Sequence, residues 1–147
     1  MTRAILAGLA AAAFALTACD EAGTTGRADS AAMPTAEEGR ALFTEYCVVC
    51  HGSDATGGGE LASSLNRSPA DLTRVAARNG GSFPAARVLS HVDGYTKTDF
   101  ESQVMPEFGE LLAGEAVPYD SGDGTYTPTP RRLVALVEYL RSIQEAE

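Results

Sequence analysis

Two stretches of this 147-residue chain repeat apolar residues at helical spacing. In the first, Gly39, Leu42, Phe43, Tyr46, Cys47 and Cys50 recur three and four apart, while Glu37, Arg40, Thr44 and Glu45 fall mostly on the other side. Thr35 with Glu38 three residues on is a capping box, and Pro34 sits just before it, so the predicted helix begins there. Gly39 in its interior costs about 1 kcal/mol against Ala and asks for a packing reason, usually the close approach of another backbone or ring. In the second stretch Leu133, Leu136, Val137, Leu140 and Ile143 form a stripe with Tyr139 beside it. Arg131, Arg132, Glu138, Arg141 and Glu145 are expected to face outward. Thr129 reads as the N-cap of this last helix and Pro130 as its first residue.

The middle is less regular. Ser68-Pro69-Ala70-Asp71 is a second capping signature, followed by Leu72, Val75 and Ala76 and stopped by Gly80-Gly81. Ser82 is expected to cap a short helix through Val92, closed by Gly94. Residues 53–59 read as a Gly-rich loop. Residues 117–127 are compatible with a hairpin around Ser121-Gly122-Asp123-Gly124. No strand pattern is strong elsewhere, and the predicted fold is all-α.

The chain begins with a different kind of segment. Arg3 precedes an uncharged apolar run over residues 4–16, about the length of a signal-peptide core and too short to span a bilayer. It ends in Leu16-Thr17-Ala18-Cys19, which resembles a bacterial lipobox, where the Cys is lipidated and becomes the first mature residue. An ordinary cleavage after Ala18 fits less well, because Leu16 is not the small residue wanted three positions before the cut. That cut would also leave an odd thiol in an oxidising compartment. Lipid at Cys19 would hold the protein at a membrane by its buried CH₂ groups, and Asp20 resembles a retention signal for the inner membrane. The expected organisation is a signal peptide over 1–18, the lipidated Cys19 with a flexible tether over 19–34, and one domain over 35–147. The tether is rich in Ala, Gly, Thr and Ser, without periodicity or aromatics.

After position 18 the chain has 20 acidic residues against 10 Lys and Arg, a net charge of about −10. Basic patches for nucleic acid are absent. The expected partner is a protein with a basic docking face, met in a salt-sensitive encounter. Lys97 is the one lysine, which excludes a lysine-ringed docking surface.

Cys47-Val48-Val49-Cys50-His51 carries the chemistry. C-x-x-C-H is the attachment pattern for a c-type haem. Thiols three apart on a helix share a face and can both form thioethers to one porphyrin, and the adjacent imidazole is placed to ligate the iron. Three other readings stand beside it. A thioredoxin-like pair lacks the surrounding βαβ pattern. A structural zinc site wants two further ligands at short spacing, with only Cys19 and His91 remaining. A plain disulfide leaves His51 unexplained. Export agrees with haem, since c-type haem is attached outside the bacterial cytoplasm.

Residues 35–147 resemble the class I cytochrome c family. Gly39, Phe43 and Cys47 match its N-terminal helix, and Leu136 and Tyr139 its C-terminal helix. The resemblance implies that the two terminal helices cross at Gly39 and the Tyr139 ring, around one covalently bound haem c. The family's second iron ligand is a Met from a late loop, often followed by Pro, and Met105-Pro106 matches. His91 is the competing ligand, but it falls within a proposed helix rather than in a late loop. Residues 105–129 are longer than in small members of the family and suggest a flap over a haem edge or toward a partner. Their Asp residues resemble calcium loops loosely, but with no EF-hand spacing. The missing Trp leaves the propionates to Arg or Tyr, with Arg78, Arg87 and Tyr95 as candidates. Pro69 is a candidate to supply a carbonyl to the second nitrogen of His51.

The resemblance implies a periplasmic one-electron carrier, not an enzyme, with Cys47, Cys50, His51 and Met105 holding the haem and His51 and Met105 on the iron. The alternatives are a cytochrome subunit of a membrane-associated or periplasmic oxidoreductase and a haem-based ligand sensor with an open iron.

Overall fold

The computed structural model describes residues 32–95 and 105–145. Cys19, Asp20, most of the tether and Lys97 lie outside these residues.

Thr35 caps the first helix, α1 (Ala36–Tyr46), as its sequence requires. Its side chain accepts from the Glu38 amide, and the Glu38 carboxylate accepts from the Thr35 amide at 2.7 Å. That hydrogen bond, with a smaller contribution from Arg131, lowers the pKa of Glu38 against the opposing effect of burial. Cys47 ends α1 and leads into a single turn, α2 (Val48–His51).

The capping signature at 68–71 opens two short 3₁₀ turns, Leu72–Arg74 and Ala77–Asn79, rather than one α-helix. Asp71 is the cap, accepting from the Thr73 amide at 2.9 Å and hydroxyl at 2.6 Å. Helix α3 (Ala85–Asp93) starts after Pro84, without the expected Ser82 cap, and Gly94 closes it in the left-handed conformation. A short helix, α4 (Gly109–Leu112), follows Met105. No helix among the described residues is long and apolar enough to cross a membrane.

The all-α expectation needs one correction. Strands β1 (Ala116–Asp120) and β2 (Tyr126–Pro130) form an antiparallel hairpin, with Val117 opposite Thr129 and Tyr119 opposite Thr127. The Asp residues of its turn are occupied by backbone: Asp120 accepts from the Gly122 and Gly124 amides, and Asp123 from Thr125. The hairpin also takes Thr129 and Pro130 into β2. Helix α5 (Arg131–Ser142) therefore starts one residue later than expected, with Pro130 in the cap position.

Helix α5 is buried on two sides. Leu133, Leu136 and Leu140 pack with Phe43, Ala55, Val92 and Leu112. Val134 and Val137 pack with Ala85, Val117 and Tyr119. The second cluster gives a use to the long stretch before α5: β1 turns Val117 and Tyr119 onto a helix face that the stripe-based reading left largely to solvent. The Tyr119 hydroxyl donates to Glu138 at 2.6 Å and accepts from Arg141 at 2.9 Å. Burial, then the Glu138 carboxylate, push its pKa up to about 12.

Helices α1 and α5 meet backbone to backbone. A Cβ added to Gly39 would lie 1.9 Å from the Ala135 carbonyl oxygen and 2.7 Å from Tyr139 Cβ. The Tyr139 ring turns past this point to Phe43, with centroids 5.2 Å apart and planes tilted by 48°. Gly39→Ala is expected to lower stability by about 3 kcal/mol, because neither backbone can yield locally. Gly58→Ala is the control. Nothing lies within 4 Å of its added Cβ, so denaturant unfolding should place it within about 0.5 kcal/mol of the parent.

Candidate haem-attachment site

Cys47, Cys50 and His51 are brought together by one turn of helix. The Cys47 carbonyl accepts from the Cys50 amide at 3.1 Å and from the His51 amide at 2.9 Å. Gly52 then leaves the helix with φ of +78°, and the Gly-rich loop folds back beneath the turn. The Val49, Cys50 and His51 carbonyls, which a helix end leaves without intrahelical partners, accept from the amides of Leu61, Gly59 and Gly57 at 2.9, 3.1 and 2.8 Å. Glycine is required at 59, where a Cβ would lie 2.5 Å from the Val49 carbonyl oxygen. The loop is thus a backbone cradle for the C-x-x-C-H turn.

The cradle continues to His51. Leu72 donates its amide to the Ala55 carbonyl at 2.8 Å, drawing the 69–72 segment alongside. His51 Nδ1 lies 3.1 Å from the Ala70 carbonyl oxygen. A carbonyl only accepts, so Nδ1 carries the proton. Burial lowers the His51 pKa, more than the Ala70 hydrogen bond raises it, and the nearby His91 charge lowers it further. The imidazole is neutral, with Nε2 holding an available lone pair. The accepting carbonyl is one residue later than the Pro69 suggested by the sequence. The Pro69 carbonyl instead lies against Gly57, 2.4 Å from where its Cβ would stand.

Residues far along the chain hold this segment in place. Gln144 accepts from the Ala76 amide at 2.8 Å and donates to the Leu72 carbonyl at 2.8 Å, and the Glu145 amide donates to Thr73. Arg78, a propionate candidate by sequence, donates to the Asp71 carbonyl at 2.6 Å. Arg87 and Tyr95 are exposed. Gln144 was not singled out by sequence; a lone amide after an amphipathic helix has no distinguishing signal.

No disulfide joins Cys47 and Cys50. Burial, and then the neighbouring Cys50, push the Cys47 pKa up to about 11. A redox or nucleophilic cysteine needs the opposite shift, and Cys47 packs among apolar side chains. Among the described residues no group of three or more His, Cys, Asp or Glu is placed to hold a metal ion. Met105 and Cys47, both half-buried, pack against the same apolar cluster around Phe43 and Leu136. His91 lies in α3 and is exposed.

The model of the family described as cytochrome c oxidase, cbb3-type, subunit III matches residues 34–117, more than half of the chain. The chain belongs to this family of c-type cytochromes. The match covers the C-x-x-C-H turn, the His51 cradle and Met105, and stops within β1. No curated protein and no solved structure matches the chain. Membership implies covalently bound haem c and haem-based electron transfer. The residues present fit the group: two cysteines on one turn, and an imidazole whose Nδ1 is already committed to a carbonyl.

Gly57→Ala tests the cradle. Its φ of +97° and the Pro69 contact leave no place for a methyl group. The 69–70 segment is expected to move away, and the slowly exchanging Nδ1 proton of His51 to be lost from the NMR spectrum.

Proposed function

We propose that this chain is a one-electron carrier of the bacterial periplasm. In this reading haem c is joined by thioethers to Cys47 and Cys50, its iron is ligated by His51 and Met105, and lipid on Cys19 ties the protein to the inner membrane. The observation that carries the reading is the His51 imidazole, on the same turn as Cys47 and Cys50 and oriented through Nδ1 by the Ala70 carbonyl. When bound, the haem supplies a one-electron couple at its iron.

The chain's own residues have limited tasks. Cys47 and Cys50 anchor the porphyrin edge. The Ala70 carbonyl raises the basicity of His51 and holds its ring orientation. Met105 offers a neutral thioether, which favours the less charged reduced state and a higher potential. None of these side chains acts as an acid, base or nucleophile, so the protein alone is not an enzyme. The acidic surface favours a redox partner with a basic face.

The family description supports a second reading, in which the chain is a fixed cytochrome subunit of a membrane oxidase. Stable co-purification with further chains in mild detergent separates a subunit from a free carrier.

Optical spectra of the exported protein test the ligand set. A low-spin ferric spectrum with a Met-to-iron charge-transfer band, and a ferrous form indifferent to carbon monoxide, are expected. Met105→Ala should keep the haem attached but remove the band, lower the potential and admit carbon monoxide. A parent protein whose ferrous haem binds carbon monoxide readily would instead favour a sensor.

Cys19→Ser tests the anchor separately. The expected product is a water-soluble cytochrome with an unchanged spectrum, and a variant still fixed to membranes would exclude a lipid at this position.

A further inference from the structure

The segment carrying Met105 is fastened at close quarters to the end of α3. The Phe108 amide donates to the Val92 carbonyl at 3.0 Å. Two glycines on either side of this bond permit the approach. At Gly94, in the left-handed conformation with φ of +101°, a Cβ would lie 2.5 Å from Glu107 Cγ and 2.8 Å from Cδ. At Gly109 a Cβ would lie 2.7 Å from Asp93 Oδ1 and 2.8 Å from the Asp93 carbonyl oxygen. Residues 93–94 and 107–109 therefore interlock: a methyl group at Gly109 would meet backbone, and one at Gly94 would force the Glu107 side chain aside. The far end of α4 is pinned as well. Arg132 donates from Nη1 to the Leu111 carbonyl at 2.8 Å and from Nη2 to the Tyr46 hydroxyl at 3.3 Å. Its guanidinium also lies over the Tyr46 ring, 5.8 Å from the centroid.

We propose that Gly94, Gly109 and Arg132 form a latch that positions Met105 on the haem iron. The inference rests on the Met105 ligation proposed above. A thioether is a weak neutral donor on a side chain with three rotatable bonds, so its hold on iron depends on where the backbone delivers it. Only Pro106 and Glu107 lie between Met105 and Phe108, a reach of roughly 10 Å at full extension, and Pro106 restricts it further. A shift at the latch therefore passes to Met105 with little slack. Gly109 is the more rigid half. One atom opposing it is the backbone oxygen of Asp93, whereas the atoms opposing Gly94 belong to a flexible side chain.

The test uses the full chain with haem attached, comparing the parent with Gly109→Ala, Arg132→Gln, Thr127→Ala and Met105→Ala. The readouts are the ferric charge-transfer band, the reduction potential and the ferrous affinity for carbon monoxide, with far-UV circular dichroism to confirm folding. Gly109→Ala should lose most of the band, shift the potential downward and bind carbon monoxide about tenfold more tightly, since the ligated state is no longer dominant. Arg132→Gln, which introduces no steric clash but removes the guanidinium bonds to the Leu111 carbonyl and the Tyr46 hydroxyl, should move the same readouts in the same direction by about threefold in affinity. Thr127→Ala, at an exposed position of β2, should match the parent. If Met105→Ala loses the band while Gly109→Ala and Arg132→Gln keep parental values, the latch is overturned and the ligation stands. If Met105→Ala keeps the band, ligation and latch fall together. If Gly109→Ala fails to accumulate with haem, Arg132→Gln decides alone.

Discussion

The contact between Gly39 and the Ala135 carbonyl is the constraint on which the rest of the molecule depends. A methyl group in that place would overlap the oxygen. The absent side chain lets α1 and α5 touch through their backbones, and Phe43 and Tyr139 close the space around the contact. Because Cys47 follows α1 without a linker, the position of α1 on α5 also places the C-x-x-C-H turn. The end of α5 holds the segment that presents the Ala70 carbonyl, through Gln144 and Glu145. One helix thus references both the thiols and the oriented imidazole.

Charged side chains that a helical-wheel reading sends outward become clamps. Arg131 reaches Glu38 at 3.1 Å and joins the start of α5 to the cap of α1. Arg132 spans Tyr46 and the Leu111 carbonyl. Glu138 and Arg141 share the Tyr119 hydroxyl and hold the hairpin on α5. Exposed ion pairs contribute little individually. These contacts matter through geometry, since each joins elements distant in sequence around a small core that cannot hold every element by burial alone.

The His51 environment follows from the same economy. Burial removes water from the imidazole, and a single backbone carbonyl replaces it at Nδ1. The carbonyl is available because the 69–72 segment runs as irregular backbone and 3₁₀ turn, where a continuous α-helix would have used it internally. The failure of the expected helix at 68–80 and the orientation of His51 are therefore one fact.

Much of the chemistry was legible in the chain. C-x-x-C-H, the Thr35–Glu38 box, the Gly39 anomaly and the stripe from Leu133 to Leu140 are local patterns in which side-chain type and spacing carry the physics. They determine two amphipathic helices and the C-x-x-C-H turn that follows the first. Tertiary structure decided what depends on distant neighbours. It chose Ala70 over Pro69 as the partner of His51, and it drew Thr129 and Pro130 into a strand by pairing them with Val117 and Ala116. It also gave α5 a second buried face at Val134 and turned Gly94 and Gly109 into close contacts. A carbonyl has no side-chain signature, and a glycine looks the same whether it turns the chain or admits a neighbour. Those choices are made by packing, which spacing along the chain does not encode.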